Sequence, residues 1–233
     1  MMIGVKFDNK HSYDDFGLIL SSKSIPLPKP KTESVTVPGS DGELDLSTAL
    51  TDGEVKFNNR TLTFKFSLLT KSRTWEGIKS AVSNYLHGKK MKVVLDADKA
   101  FYYIGRCTVD PFSESKKGAT LSIKVDAEPY KYDILDSTEQ WEWDSFNFET
   151  GIIYKLNEIS VTPNTVVTIP SRRMKVVPVI TTSAAMDVIF NGVYYALKQG
   201  DNRILNIMFS EGENKLTFKG TGVVTIRFRG GSL

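Results

Sequence analysis

A change of hydrophobic period between residues 54 and 96 constrains the fold more than any other feature of this sequence. Every second residue from Leu62 to Leu68 is a Leu or Phe, and the residues between them are Thr, Lys and Ser. A period of two predicts a strand with one buried and one solvent-facing side. The apolar residues that follow have the spacing of one helical stripe: Trp75, Ile78, Val82, Tyr85 and Leu86. The chain therefore combines β-strands with a helix.

The flanks of this segment predict where its elements begin and end. Asn58-Asn59 is a plausible tight turn, so residues 54–57 are expected to form a hairpin with the strand that follows. Ser72 can cap the start of the helix, and Gly88 follows its last turn, where a left-handed residue is favoured. Residues 91–95 alternate again and predict a further strand.

The remainder of the sequence predicts two domains that differ in secondary structure. Residues 101–109 and 119–127 are two long strands that complete the first domain, residues 1–134. From Trp141 onward no window favours a helix, and turn signals recur at intervals typical of a sandwich or barrel. The best hairpin turns at Asn191-Gly192. We therefore predict a mainly β fold with one helix in the first domain (α+β), and a β-sandwich over residues 135–233.

Composition excludes several classes of protein. The 233 residues are 40% hydrophobic and 24% charged, as in soluble globular proteins, and no apolar run is long enough to span a membrane. The first residues lack the pattern of a secretory signal. A net charge of +3 is too small to indicate specific nucleic-acid binding. The single cysteine, Cys107, excludes an internal disulfide, and we expect a buried structural thiol.

The sequence contains no recognisable catalytic or metal-binding pattern. Its two histidines, His11 and His87, have no second ligand at metal spacing, and Asp96-Ala97-Asp98 lacks the later ligands of a calcium loop. No nucleophile elbow, Walker loop or dinucleotide fingerprint is present. We therefore assign no catalytic, cofactor-binding or metal-binding residue, and predict that the protein is not an enzyme.

Two stretches remain as candidate interaction sites. Prolines at alternate positions, Pro26, Pro28 and Pro30, exclude a helix and a central strand, and predict an extended arm. The loop that begins at Val37 turns sharply and is expected to be exposed, which makes its residues candidates for contacts with neighbours: Val37, Pro38, Gly39, Asp41 and Gly42.

A dense group of aromatic residues opens the second domain. Trp141 and Trp143 share one face of a strand, where they either fill the core between two sheets or stack on a sugar ring. The core explanation is the more common one. The alternative function is therefore a carbohydrate-binding protein that uses Trp141 and Trp143 as sugar contacts.

The order of several loose motifs resembles the distal tail protein family of long-tailed, non-contractile bacteriophages that infect Gram-positive hosts. In the first domain these are Gly4-Val5-Lys6-Phe7-Asp8, Tyr13-x-x-Phe16-Gly17-Leu18, the run from Val37 to Leu46, Phe57-Asn58-Asn59-Arg60 and Glu128-Pro129-Tyr130-Lys131-Tyr132. Near the C-terminus Gly212-x-Asn214-x-Leu216-x-Phe218, Val224-x-Ile226 and Gly231-x-Leu233 resemble the galectin-like sandwich of that family.

The resemblance implies a structural protein at the distal tip of the phage tail. The first domain would form a hexameric ring that continues the tail tube, and the galectin-like domain would point outward to adsorption proteins. The implied partners are further copies of this chain, the tail tube protein and the tail-associated lysin or tail-tip protein, with a receptor-binding protein as a further candidate. Genome DNA would pass through the ring without specific binding, and no membrane contact or cofactor is implied.

Overall fold

The computed structural model describes residues 4–51, 53–68, 75–115, 118–140 and 151–233. They divide into two compact units: Met1–Asp98 with Tyr103–Tyr130 and Leu233 (unit 1), and Lys99–Tyr102 with Lys131–Ser232 (unit 2). The elements up to residue 109 are β1 (Val5–Phe7), β2 (Lys10–His11), β3 (Ile19–Ser24), β4 (Ser34–Thr36), β5 (Glu43–Asp45), β6 (Arg60–Leu68), α1 (Trp75–Leu86), β7 (Lys90–Leu95) and β8 (Asp98–Val109).

The later elements are all strands: β9 (Ser113–Ser115), β10 (Gly118–Ala127), β11 (Lys131–Asp133), β12 (Ile159–Val161), β13 (Thr165–Ser171), β14 (Val179–Thr182), β15 (Met186–Phe190), β16 (Val193–Leu197), β17 (Gly200–Asn202), β18 (Gly212–Phe218), β19 (Gly222–Arg227) and β20 (Gly231–Ser232). The predicted class, mainly β with one helix in the first part of the chain, is confirmed for the described residues.

Unit 1 is built on an antiparallel sheet with the strand order β2-β1-β7-β8-β10-β6-β3. Strand β6 lies between β10 and β3, and every second side chain from Arg60 to Leu68 is buried. The alternation predicted for residues 61–68 is therefore confirmed. Phe7, Phe64 and Phe66 are fully buried and form the centre of one hydrophobic core.

The predicted helix is also confirmed. Helix α1 places Trp75, Val82 and Leu86 in the core of unit 1, with Ile78 and Tyr85 packed against it. Gly88 has a φ of 77° and ends the helix in the left-handed region, as expected of a glycine at that position. The predicted cap, Ser72, lies outside the described residues.

The predicted hairpin between residues 54–57 and β6 is wrong. Phe57 instead forms an isolated antiparallel bridge with Pro30, and β6 is paired on both sides by β3 and β10. Because both edges of β6 are occupied, residues 54–57 have no free strand beside them to pair with. They lie instead against the segment that begins at Lys29.

Unit 2 contains two four-stranded antiparallel sheets on one core. One sheet has the order β12-β19-β14-β17 and the other β13-β18-β15-β16. Buried residues of both sheets belong to a single cluster, so they form the predicted sandwich. The predicted Asn-Gly turn is confirmed, since Asn191 and Gly192 join β15 to β16 with φ values of 50° and 80°, as a type I′ turn requires.

A buried ion pair ties distant segments of unit 2 together. Arg172 Nε donates to both carboxylate oxygens of Asp133, at 2.8 and 3.0 Å, and Arg229 Nη1 donates to the Asp133 carbonyl oxygen at 2.7 Å. Gly230 passes so close to this carboxylate that a side chain there would collide with it. Burial raises the pKa of Asp133, and the charge and hydrogen bonds of Arg172 oppose that shift.

Replacing Arg172 with Met should destabilise unit 2 by about 3–5 kcal/mol at pH 7, because it leaves the Asp133 carboxylate buried without its main partner. The pKa of Asp133 then increases further. A carboxyl group with a higher pKa in the folded state regains stability as the pH falls through that pKa towards the unfolded value of about 4.

We therefore expect the difference in melting temperature between Arg172→Met and the wild type to be smaller at pH 5 than at pH 7. The exposed neighbour provides the matched control, Arg173→Met, which should change stability by less than about 0.5 kcal/mol. An equal deficit at both pH values would show that the loss comes from packing and not from an unpaired carboxylate.

Candidate interaction surfaces

Residues 26–46, here called the arm, contain both the predicted extended segment Pro26–Pro30 and the predicted loop Pro38–Gly42, and they are tied to unit 1 at their base. Lys31 N donates to the Lys56 carbonyl oxygen at 2.7 Å, and Asn58 N donates to the Lys29 carbonyl oxygen at 2.9 Å. Beyond this base β4 and β5 form a separate two-stranded antiparallel sheet. A two-stranded hairpin is marginally stable by itself in water. The arm therefore depends on contacts beyond its own ladder.

The two faces of the hairpin differ in polarity. Val35 pairs with Leu44, so both side chains lie on one face, and Val37 and Leu46 follow at the alternate positions. Leu44 is 55% and Val35 44% exposed, so this apolar face is uncovered by the described residues. The opposite face carries polar residues: Ser34, Thr36, Glu43 and Asp45. The hairpin is therefore amphipathic, with its apolar side exposed among the described residues.

Charge on the arm and the loop after it has one sign. Residues 32–55 contain six Asp and Glu residues and no Lys or Arg. The remainder of residues 1–134 contains 20 Lys and Arg against 11 Asp and Glu. Asp45 accepts a hydrogen bond from Ser47 N at 2.8 Å, and hydrogen bonding to Ser47 lowers its pKa, so this carboxylate stays charged. An acidic arm and a basic remainder are complementary between copies.

The predicted interface residues lie on the arm, with one difference in exposure. Pro28 is buried within its own chain, so it offers no surface to a neighbour in this conformation. The other candidates are exposed: Pro26, Pro30, Val37, Pro38, Gly39, Asp41 and Gly42. Gly39 and Gly42 have φ values of 84° and 74°, which the tight tip of the hairpin requires.

Arg60 lies beneath the base of the arm, and no sequence pattern indicated its role. Its Nη1 donates to the Pro26 carbonyl oxygen at 3.4 Å, and its guanidinium lies 5.0 Å from the centroid of the Tyr103 ring. Nε and Nη2 are buried and have no hydrogen-bond partner among the described residues. Burial lowers the pKa of Arg60 and raises that of Tyr103. Arg60 therefore contacts the arm base through the Pro26 carbonyl oxygen and the rest of unit 1 through the Tyr103 ring.

The titratable residues singled out in the sequence have structural partners. His11 Nε2 lies 3.0 Å from Asp96 Oδ2, and His87 Nδ1 accepts from Val109 N at 3.2 Å. Cys107 is buried as expected, and burial raises the pKa of its thiol to about 12. Within the described part of the chain no three His, Cys, Asp or Glu side chains are grouped to hold a metal ion. The helix described here is neither long nor apolar enough to cross a membrane.

The alternative sugar contacts cannot be placed in the fold. Trp141 and Trp143 lie within residues 141–150, outside the described residues. The carbohydrate-binding function based on them therefore stays a prediction.

Comparison with known proteins identifies the fold. No family model matches the sequence, and no curated protein matches it. Among solved structures the Dit protein (gp19.1) of phage SPP1 is similar over 100% of both chains, with a TM-score of 0.64 and 12% identity. That protein is described as a paradigm of the hub adsorption apparatus in phages that infect Gram-positive bacteria.

This chain has the Dit fold. The match spans unit 1 and unit 2 alike, so the fold expected from the distal tail resemblance is confirmed. A chain in the structure of the activated phage p2 baseplate with strontium aligns with this chain over 98% of both chains, at 9% identity and with a TM-score of 0.39. A TM-score of that size does not establish a common fold.

Proposed function

We propose that this protein is a structural hub of a phage tail, assembled as a ring of six copies at the distal end of the tail. The observation that carries the proposal is the Dit fold, which extends over the full length of this chain and of the SPP1 hub protein. A fold alone does not define a function. The arm of this chain also supports the proposal, because its exposed apolar face and its negative charge suit a contact with a neighbouring copy.

In the proposed ring each arm lies on the next copy of unit 1. The apolar face with Val35 and Leu44 would be buried there, and the net negative charge of residues 32–55 would attract a neighbouring unit that carries an excess of Lys and Arg. The contact is heterologous, since the arm of one copy meets a different surface of the next, and such contacts produce a closed ring when the rotation closes. A hub of this kind acts through interfaces and needs no catalytic group.

The ring would join two parts of the tail. On one side its partner is the tail tube protein, whose channel the ring continues, and on the other it is the tail-associated lysin or tail-tip protein. The galectin-like unit 2 would face outward towards adsorption proteins, including a receptor-binding protein. DNA would pass through the ring without sequence-specific contacts, and the protein would be located in the virion.

Measurement of mass in solution tests the ring. Light scattering and negative-stain microscopy of the purified chain should give a particle of six copies with a central opening. Because charge complementarity contributes to the contact, dilution at about 1 M salt should dissociate the ring more readily than at 0.1 M. A chain that stays monomeric by itself and with tail tube protein added, at both salt concentrations, would refute the proposal.

A further inference from the structure

The four edge strands of the unit 2 sandwich are not equally protected against pairing with another chain. Edge strands expose free N–H and C=O groups, and proteins usually shield them by proline, charge or short length. β13 contains Pro170, β12 has three residues, and β17 has three residues that include Asp201. β16 has five residues, Val193-Tyr194-Tyr195-Ala196-Leu197, without proline or charge. Among the described residues, β16 is therefore the edge strand of the sandwich that has none of these protections.

The type I′ turn determines which backbone groups of β16 face outward. In a two-residue hairpin the pair that closes the turn, Phe190 and Val193, shares its hydrogen bonds, and the next pair does not. By this alternation Tyr194 and Ala196 direct their N–H and C=O groups away from β15. Lys219 follows the last residue of β18, and its N donates to the Asp187 carbonyl oxygen at 2.8 Å, so the residue paired with Ala196 bonds on the side away from β16.

The side chains at this edge are apolar and exposed. Tyr194 is 64% and Val193 51% exposed, on opposite faces of the sheet, and Ala196 follows Tyr194 on the outer face. An uncharged strand with a small residue opposite Tyr194 and a large one opposite Ala196 would complement these side chains. The sequence of β16 itself has these properties when it is read in the antiparallel direction.

We propose that β16 is a homotypic docking edge, which pairs antiparallel with β16 of a second copy. The two-fold axis passes between the two Tyr195 residues, perpendicular to the sheet. Tyr194 then lies opposite Ala196 of the second copy, which matches a large side chain to a small one. The outward groups of both residues form four backbone hydrogen bonds. The sheet that contains β16 in one copy then joins the same sheet of the second copy, and together they form one sheet of eight strands.

This contact differs in kind from the proposed ring, and neither depends on the other. It is isologous, because the same surface is used on both copies, whereas the ring uses heterologous contacts. Five residues on each side make a patch smaller than the roughly 800 Å² per partner of a standard interface, so we expect weak pairing of isolated copies. In a ring several such edges would act together and strengthen it.

Sedimentation velocity of the full chain over a wide concentration range tests the pairing. The test variant is Ala196→Pro, because proline is tolerated on an edge where the N–H faces solvent, and there it removes an outward donor. The second variant is Tyr194→Lys, which places a charge on the same edge. The matched control is Val166→Lys, since Val166 is 55% exposed on the outer face of the opposite edge strand of the same sheet.

The wild type and Val166→Lys should show a mass that doubles as the concentration rises. The doubling starts from the monomer or from the ring, whichever is present at low concentration. Both edge variants should weaken that doubling at least about tenfold, with unchanged melting temperatures. The result can be read from a monomer or from a ring, so loss of the ring does not remove the test. The proposal would be overturned if the mass of the wild type never doubled, in which case β16 would be free to pair with a strand of another protein. It would also be overturned if the mass of both edge variants doubled as readily as that of the wild type.

Discussion

Replacing Leu44 with Lys should abolish assembly of the ring while leaving the fold intact. Leu44 lies on the apolar face of the arm and is exposed in the single chain, so the lysine costs less than about 0.5 kcal/mol of stability there. In the ring the same position would be buried against the next copy. An unpaired charge buried in this way costs about 3–5 kcal/mol, and it would be repeated at every contact around the ring.

The polar face of the same hairpin provides the matched control. Thr36 lies beside Glu43 on that face, so Thr36→Lys introduces the same charge on the same arm without touching the apolar side. Light scattering should give a ring for Thr36→Lys and single chains for Leu44→Lys, with equal melting temperatures. Ring formation by Leu44→Lys would show that the apolar face is not part of the ring interface. Loss of the ring in both variants would mean that added charge alone prevents assembly.

Elements with a strong local pattern could be predicted from the sequence. The alternation around Phe64, the stripe that starts at Trp75 and the turn at Asn191-Gly192 each depend on residues close together in the chain. The error at residues 54–57 arose where local signals were weak and a distant segment decided the pairing. Phe57 bridges Pro30, which a prediction from adjacent residues could not detect.

The candidate interface was predicted by its location and not by its chemistry. Proline spacing and glycines indicated an exposed extended arm, but the shared face of Val35 and Leu44 emerges only from their register. Arg60 under the arm base and Asp133 in unit 2 were missed, because each acquires its environment from segments far away in sequence.

The domain boundary at residues 134 and 135 stays a prediction. The compact units differ from it, since Lys99–Tyr102 groups with unit 2.

Replacing Trp75 with Ala should cause a large loss of stability in unit 1. Trp75 is 9% exposed and begins helix α1, from which Val82 and Leu86 enter the same core. Truncation of a buried aromatic residue costs about 3–5 kcal/mol, because transfer energy is lost and a cavity remains. At about 4 °C per kcal/mol for a unit of this size, the transition should move down by about 10–20 °C.

Thermal unfolding followed by circular dichroism measures this shift, and the adjacent helix position supplies the comparison. Glu76 is exposed, and its ion pair with Lys79 at 3.4 Å lies at the surface, so Glu76→Ala should cost less than about 1 kcal/mol. Ring formation by Trp75→Ala should persist well below the new melting temperature, because the arm does not depend on this side chain. An unchanged melting temperature combined with lost assembly would instead place Trp75 in the ring interface, and the helix would then be a contact surface rather than a cover for the core.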